Sequence, residues 1–371
     1  MSKMTLAILY RPELREYDFG PGHPFRGDRY EIFPRFLREN LTESSYQFLQ
    51  AEPATDEDLL LICQKDYIDF TRGFYRAANL GLTYPDEFYR FQSGDNLPAA
   101  KPGKLEEAAR LIVGQAKMAC DLTQQGEFAK AVSIGGGMHH ARAAYGEGFC
   151  LYNDVAFCGL YLLKQHKLER VLILDTDAHT GNGTSEYFYQ EPKVLFIDLH
   201  QDPRSIYPGT VFSYQIGVGS GKGFTVNVPM PVNAGYDSYR LAFEAIVEPL
   251  AEEFKPQVII RNGGSDPHFA DGLTSLGLPV SGFRMIGEKV RKMAGIYGDG
   301  KVIDLIASGY NKKVLPYAWL ALVTGLADIR LEVAEPEPVP PGFGADPALP
   351  ETEKVVREVK EQLKDYWSCL R

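Results

Sequence analysis

Residues 171–184 read VLILDTDAHTGNGT, a short apolar run that passes directly into aspartate, histidine, glycine and asparagine. A strand of a buried parallel sheet has this form, because both of its faces are covered and its residues are apolar and often β-branched. Four other apolar runs also end in polar clusters. They are Ala131–Ile134, Val194–Ile197, Val258–Ile260 and Val302–Ile306. Since open α/β sheets bind ligands at the carboxyl ends of their strands, the five clusters predict one shared site.

The order of the other patterns predicts an α/β fold with a central, mainly parallel sheet flanked by helices. Strand and helix patterns alternate from residue 131 to about residue 325, and a first strand is expected at residues 4–10. The expected helices lie at about 27–40, 57–80 and 104–125, at Asp154–Lys167 and at Tyr236–Phe254. We therefore expect the active site at the C-terminal ends of the strands.

A proline-rich break separates this region from the end of the chain. Residues 335–350 contain six prolines, and an amphipathic helix is expected at about 352–368. We predict one main domain over residues 1–330. Residues 331–371 then form a linker and a helix that packs back on that domain.

Composition restricts the class of protein. The 371 residues are 44% hydrophobic and 24% charged, as in an ordinary globular protein. The net charge of −10 argues against a nucleic-acid surface and suits a cationic substrate. No segment resembles a signal peptide or a membrane span, and the five cysteines form no CxxC pair. These features predict a cytoplasmic protein with reduced thiols and no membrane partner.

Asp175, Asp177 and His179 are spaced so that their side chains share one face if the extended backbone continues past the strand. Asp266 follows another apolar run through a Gly-Gly turn. Asp177, His179 and Asp266 would supply three ligands and leave one position open, as in catalytic zinc sites. Oxygen-rich ligation also accepts Fe(II) or Co(II).

These clusters resemble the histone deacetylase superfamily, particularly its prokaryotic class II-like and acetoin-utilisation-type members. The resemblance covers roughly the first 325 residues. Its motifs are YDFGPGHP (17–24), GGGMHHA (135–141), EGFCLYND (147–154), LDTDAHTGNGT (174–184), YPGT (207–210), GGSDPHFADGL (263–273), SGYN (308–311) and WLAL (319–322). It implies an arginase/deacetylase-like fold and a zinc-dependent amidohydrolase, with residues 1–330 as the deacetylase catalytic domain.

The resemblance also assigns roles to residues. It implies metal ligation by Asp177, His179 and Asp266, acid–base catalysis by His139 and His140, and oxyanion stabilisation by Tyr310. Phe149 and Tyr207 match the aromatic walls of an acyl-lysine tunnel, next to Gly148, and Asp95 matches a carboxylate at its rim. These residue types suit amide hydrolysis, which needs an activated water, a proton carrier and an oxyanion donor.

The two adjacent histidines are expected to differ. By resemblance, Asp175 supports His139 and Asn182 supports His140. A carboxylate stabilises the imidazolium and raises the pKa of the ring, whereas a neutral amide does so less. We therefore expect His140 to be the neutral general base and His139 to be the more cationic partner.

Several alternatives remain at this point. The leading hypothesis is removal of acetyl groups from lysine Nε of proteins; an acetylpolyamine amidohydrolase is the nearest alternative. A catalytically silent acyl-lysine-binding module and an arginase-type ureohydrolase are less favoured. The resemblance further implies a structural potassium site at Asp175, Asp177 and His179, with backbone near Asp198 and Leu199.

Overall fold

The structure is a computed structural model that describes residues 6–82, 85–342 and 345–371. Within these residues, eight parallel strands form one central sheet. The strands are β1 (Leu6–Leu9), β2 (Gln47–Leu49), β3 (Lys130–Ile134), β4 (Val171–Asp175), β5 (Val194–Gln201), β6 (Thr225–Met230), β7 (Val258–Asn262) and β8 (Val302–Ile306). The predicted α/β class with a parallel sheet is confirmed.

Helices flank the sheet and pack against its strands. They are α1 (Arg29–Asn40), α2 (Asp56–Leu59), α3 (Lys65–Asn79), α4 (Pro85–Phe91), α5 (Leu105–Gln125), α6 (Asp154–Lys164), α7 (Asn182–Phe188), α8 (Tyr236–Ala242), α9 (Glu248–Phe254), α10 (Val280–Tyr297), α11 (Leu315–Ala327) and α12 (Leu349–Leu363). No helix among the described residues is long and apolar enough to cross a bilayer.

The strand order β2-β1-β3-β8-β7-β4-β5-β6 explains why the polar clusters meet. After β3, the chain passes over two strand positions before it forms β4. Strands β7 and β8 later fill those two positions. The segments that follow β3, β8, β7 and β4 therefore emerge side by side, where the strand order changes direction. Ligands bind at such switch points in open parallel sheets.

Two strands lie outside the expected set, and one is longer than expected. Strand β2 has only three residues, which is too short for a recognisable pattern. Strand β6 contains Pro229, which is tolerated because β6 is an edge strand. Strand β5 continues to Gln201, so Asp198 and His200 lie within the strand and not after it. Residues 4 and 5 of the expected first strand fall outside the described residues.

Three helix boundaries differ from expectation. The helix expected at 57–80 is two helices, because the chain turns between α2 and α3, where the Gln64 amide donates to the Ala143 carbonyl instead of to a carbonyl of its own helix. The helix expected to reach Lys167 ends at Lys164, and Lys167 has a left-handed φ of 56°. The helix expected at 352–368 spans Leu349–Leu363.

The helical segment Tyr236–Phe254 is present, but it contains a π-helical turn at Phe243–Val247 between α8 and α9. Pro249 follows this turn. A proline inside a helix removes one backbone donor and crowds the preceding turn, and a wider turn accommodates both effects.

The C-terminal segment packs on the rest of the chain. Helix α12 contacts α8 and β6, and the Trp367 indole donates to the Gly223 carbonyl at 2.7 Å. The Asp346 carboxylate accepts hydrogen bonds from the backbone amide and hydroxyl of Ser238. The division into a domain over residues 1–330 and an appendage over 331–371 stays a prediction.

Candidate active site

The three predicted metal ligands meet at the ends of β4 and β7. Nδ1 of His179 lies 3.3 Å from Oδ1 of Asp177 and 3.1 Å from Oδ2 of Asp266. One ligand atom from each of the three residues lies within 4.8 Å of the others. Both aspartates are buried. The trio therefore has the size and the donor atoms of a metal site.

The electrostatics of the trio fit a divalent cation. Burial and the negative charge of Asp177 raise the pKa of Asp266 to about 8. Burial opposes a charge on His179, but hydrogen bonds to the two carboxylates raise the pKa of its ring to about 10. Two buried carboxylates thus compete for positive charge in a space from which water is largely excluded. A bound cation would relieve the cost of burying both of them.

Close backbone packing between two loops sets the position of Asp266. The Ser265 amide donates to the Ser308 carbonyl at 2.9 Å, and the Ser308 hydroxyl donates to Oδ1 of Asp266 at 2.7 Å. A Cβ atom on Gly264 would lie 2.0 Å from the Ser308 carbonyl oxygen. The glycine is required here because a side chain would force the loops after β7 and β8 apart.

A similar constraint holds the two histidines after β3. Gly137 has a φ of 124°, and a Cβ atom there would lie 2.5 Å from Oδ1 of Asn262. The Asp154 carboxylate, at the start of α6, accepts from the amides of Gly137 and Met138. Burial raises the pKa of Asp154 to about 6. This carboxylate fixes the turn that directs His139 and His140 towards the trio.

His139 is held by a carboxylate, and that carboxylate is the one that the resemblance implies. Its Nδ1 lies 2.8 Å from Oδ2 of Asp175, which also accepts from the Asn262 amide group at 2.9 Å. Burial alone would lower the pKa of His139, but the negative charges of Asp175 and Asp177 outweigh burial and raise it to about 9. The ring of His139 is therefore cationic at neutral pH.

His140 has the opposite character. Its Nδ1 lies 2.6 Å from Oδ1 of Asn182, a neutral partner. Burial and the neighbouring positive charges of His139 and His179 hold the pKa of His140 well below its usual range. The ring is therefore neutral at pH 7. The expected contrast between the two histidines follows from their different partners.

The remaining predicted residues surround a cavity of about 380 Å³ that opens above the trio, a size typical of small-ligand sites. Its lining residues are Asp95, His140, Gly148, Phe149, His179, Ser205, Ile206, Tyr207, Leu273 and Tyr310. The Phe149 and Tyr310 ring centroids lie 6.1 Å apart, and the His140 and Tyr207 centroids lie 5.5 Å apart. Aromatic side chains thus stand on both sides of the cavity.

Gly148 has a steric role at this cavity. Its φ is 60°, and a Cβ atom would lie 2.1 Å from Cδ2 of His140. The Gly148 amide donates to Oδ2 of Asp95 at 2.9 Å. The Ser93 hydroxyl donates to the other oxygen of the same carboxylate. Asp95 therefore connects the rim to the wall of the cavity.

Tyr310 reaches the cavity from the loop after β8. Its backbone amide donates to Oδ2 of Asp271 at 2.7 Å, which fixes the loop. Burial raises the pKa of Tyr310 well above its usual value, so the hydroxyl keeps its proton and can donate it to a hydrogen bond. The guanidinium of Arg29 lies 5.5 Å from the ring centroid.

Sequence reasoning missed five polar residues that support these groups: Glu147, Asp154, Asn262, Asp271 and Ser308. Each lies inside or next to a motif that was recognised, but its partner is distant in sequence. Asn262, for example, lies beside Asp175 only because β7 pairs with β4 in that register. The one signal for these residues in the sequence was their position inside or next to a motif. That position does not show which distant residue each of them contacts.

Comparison with known proteins decides the family. A family model described as the histone deacetylase domain matches residues 23–326. The chain belongs to the histone deacetylase family. It is 33% identical over 375 residues to a probable deacetylase of Archaeoglobus fulgidus, covering 99% of this chain and 100% of that protein. It is 33% identical over 326 residues to the acetoin utilization protein AcuC of Staphylococcus aureus, covering 87% and 82%.

A solved structure, the HDA15 HD domain, has a TM-score of 0.82 with 23% identity and covers 99% of this chain and 97% of that chain. This likeness confirms the arginase/deacetylase-like fold. Family membership and the named relatives support a hydrolytic deacetylase.

Proposed function

We propose that this histone deacetylase family member is a zinc-dependent hydrolase that removes acetyl groups from lysine Nε of proteins and releases acetate. The observation that carries the proposal is the Asp177–His179–Asp266 trio, which lies beside one cationic and one neutral histidine below an aromatic-walled cavity. Two carboxylates and one imidazole suit zinc and also accept Fe(II) or Co(II).

A bound divalent metal would polarise the acetyl carbonyl and lower the pKa of a water molecule. The chain supplies the proton carriers. His140 is neutral and accepts the proton of the attacking water, then returns it to the leaving amine. His139, charged through Asp175, stabilises negative charge that develops beside it. The Tyr310 hydroxyl donates to the oxyanion of the tetrahedral intermediate.

Phe149 and Tyr207 are proposed to hold the aliphatic part of an acyl-lysine side chain, with Gly148 providing room between Phe149 and His140. Asp95 is proposed to accept a hydrogen bond from substrate at the rim. Its carboxylate lines the cavity although it also accepts from Gly148 and Ser93. The acidic rim also suits a cationic acetylpolyamine, which is the second candidate substrate. We further propose that the enzyme acts in the cytoplasm.

A structural potassium ion is also proposed near Asp175. This carboxylate is level with Asp198 on the neighbouring strand, and both are buried. Oδ1 of Asp198 makes no hydrogen bond, although Nδ1 of His200 lies 3.0 Å away. A monovalent cation between the carboxylate and nearby backbone carbonyls would offset this concentration of negative charge.

Paired assays test the proposed function. Purified protein is reconstituted with zinc and offered an acetyl-lysine peptide and N-acetylputrescine at matched concentrations. Release of acetate from the peptide, its loss on chelation and its recovery with zinc are expected. Preferential cleavage of N-acetylputrescine would indicate that the substrate is an acetylpolyamine and not an acetylated protein. Binding of peptide without turnover by the metal-loaded protein would support a silent acyl-lysine-binding module.

A further inference from the structure

Glu147 contacts Asn182, the hydrogen-bond partner of His140. Its Oε1 accepts from the Asn182 amide group at 2.8 Å and from Nε of Arg142 at 2.9 Å. Only 14% of its side chain is exposed. Its Oε2 lies 3.5 Å from the Tyr207 hydroxyl. The carboxylate therefore touches the partner of the general base without touching the base.

We propose that Glu147 is a positioning residue that selects the tautomer of His140. A carboxylate has only acceptor atoms, so Asn182 must direct its amide nitrogen towards Glu147. Its carbonyl oxygen then faces His140, as the 2.6 Å contact shows. An oxygen acceptor at that distance requires a proton on Nδ1 of His140. The neutral ring then has its free electron pair on Nε2.

Among the residues that the structure describes, Glu147 is the acceptor that disfavours the alternative arrangement. An asparagine side chain can turn its amide end for end with almost no change in shape. The reversed amide would place an oxygen 2.8 Å from the Glu147 carboxylate and an N–H group against Nδ1 of His140. Nδ1 would then have to be the acceptor, and Nε2 would carry the proton. A ring in that state cannot take a proton from water at Nε2.

This inference rests on the proposed role of His140 as the general base. It explains how a neutral amide, that of Asn182, can keep the proton of His140 on Nδ1. An aspartate beside the histidine would offer acceptors in either orientation. Asn182 does not, so a second acceptor is needed to orient it. Arg142 supports Glu147 and also pairs with Glu186 at 2.8 Å, but no hydrogen bond joins Glu186 to Asn182.

The experiment measures the tautomer directly. Two-bond nitrogen–proton NMR correlations of histidine distinguish a protonated Nδ1 from a protonated Nε2, and the chain has seven histidines. Spectra are recorded at neutral pH on the full chain as purified and after chelation, and His140→Gln identifies the His140 signals. We expect a protonated Nδ1 in the unsubstituted protein. A protonated Nε2 there would overturn the proposal without any variant.

Glu147→Met removes the acceptor and keeps a side chain of similar length. We expect a mixture of His140 tautomers and a fall in kcat of roughly three- to tenfold, with a smaller change in KM, because part of the population loses its free Nε2. Glu147→Gln keeps an acceptor oxygen and should retain the protonated Nδ1. Glu186→Gln is the matched control, since it removes the other carboxylate from Arg142, and should leave the tautomer unchanged.

Rescue separates positioning from general structural damage. Adding Asn182→Asp to Glu147→Met gives His140 a partner with acceptors only, so the protonated Nδ1 should return. A single Nδ1 tautomer and full kcat in Glu147→Met would overturn the proposal, as would failure of the rescue in a folded double variant. Absence of turnover in the unsubstituted enzyme with Nδ1 protonated would overturn the proposed function and leave the tautomer assignment standing.

Discussion

Replacing Asp266 by asparagine should abolish metal binding and yet stabilise the metal-free protein. The variant keeps the shape of the side chain and an oxygen that can accept from Ser308. It removes one of the two carboxylates that face His179. If the trio is a metal site, the metal-free protein bears the cost of burying that carboxylate, and the neutral variant does not.

The structure gives the size of this effect in two ways. Unit charges 4.8 Å apart, the largest separation within the trio, repel by about 3.5 kcal/mol at an effective dielectric constant of about 20. The pKa of Asp266 is raised from 3.8 to about 8, so the folded protein must keep it protonated at pH 7. That costs about 4 kcal/mol at roughly 1.4 kcal/mol per pH unit. Burial is the larger cause of the raised pKa and the charge of Asp177 is the next, so the pKa shift already contains the repulsion.

The sign of the pH dependence follows from the raised pKa of Asp266. Its cost is absent below pH 3.8, and it grows as the pH rises towards about 8. Relief of this cost should therefore raise the free energy of unfolding of the metal-free variant above that of the metal-free parent by about 2 kcal/mol at pH 5 and about 4 kcal/mol at pH 7. His179 contributes to stability with the opposite sign, because its pKa is raised and folding therefore favours its protonated form. This contribution is fully present below pH 6.5 and is lost as the pH rises to about 10, and the part of it that Asp266 supplies is absent in the variant, which offsets part of the gain.

Thermal unfolding in chelator at pH 5 and pH 7, with elemental analysis of zinc, provides the measurement. We expect a rise in Tm of roughly 4–8 °C for the chelated variant at pH 7. Added zinc should raise the Tm of the parent only. Asp271→Asn is the control, because it removes a carboxylate outside the trio and should keep the metal. A chelated variant that melts at or below the parent at pH 7, or that retains zinc, would refute the reasoning.

Further variants test the oxyanion donor and the two histidines. Tyr310→Phe should retain zinc and lower kcat by roughly two to three orders of magnitude, the usual cost of one oxyanion donor, and an unchanged kcat on an acetyl-lysine peptide would place the hydroxyl elsewhere. His140→Ala should reduce turnover further than His139→Ala at equal zinc content, because the cationic ring of His139 is a poor base; the reverse order would exchange their roles. Asn182→Asp should raise the pKa of His140 and move the acidic limb of kcat/KM to higher pH, since an added carboxylate favours imidazolium. Glu147 would face that new carboxylate, so Asn182→Asp with Glu147→Gln should show the shift more fully, and an unmoved limb in both would contradict the assignment.

The sequence predicted the central strands well because five apolar runs were bounded by glycine and charged residues. It missed β2 and β6, whose short length and proline give weak patterns. It also joined α2 to α3, since the helical periodicity continues across the turn where Gln64 bonds to Ala143. Local pattern does not reveal a backbone group that finds a distant partner.

The predicted ligands and histidines were brought together in the structure, but their supporting residues were not foreseen. Asp175 and Asn182 were expected beside the histidines through resemblance to a family. Glu147 and Asn262 were not, although each contacts one of those partners. Motif spacing identifies the candidate metal ligands and catalytic residues. The residues that orient them cannot be identified in this way, because their positions depend on which loops pack together.

The sequence by itself determined which apolar strands end in polar clusters, which ligand atoms those clusters offer and which family the chain belongs to. These properties depend on the local order of residues and on composition. Only the tertiary structure decided that the ends of β3, β8, β7 and β4 lie side by side, and that one histidine faces a carboxylate while its neighbour faces an amide. Burial and charge then separate the pKa values of two adjacent imidazoles. Such differences arise from the distances between groups far apart in the chain, and no local pattern fixes those distances.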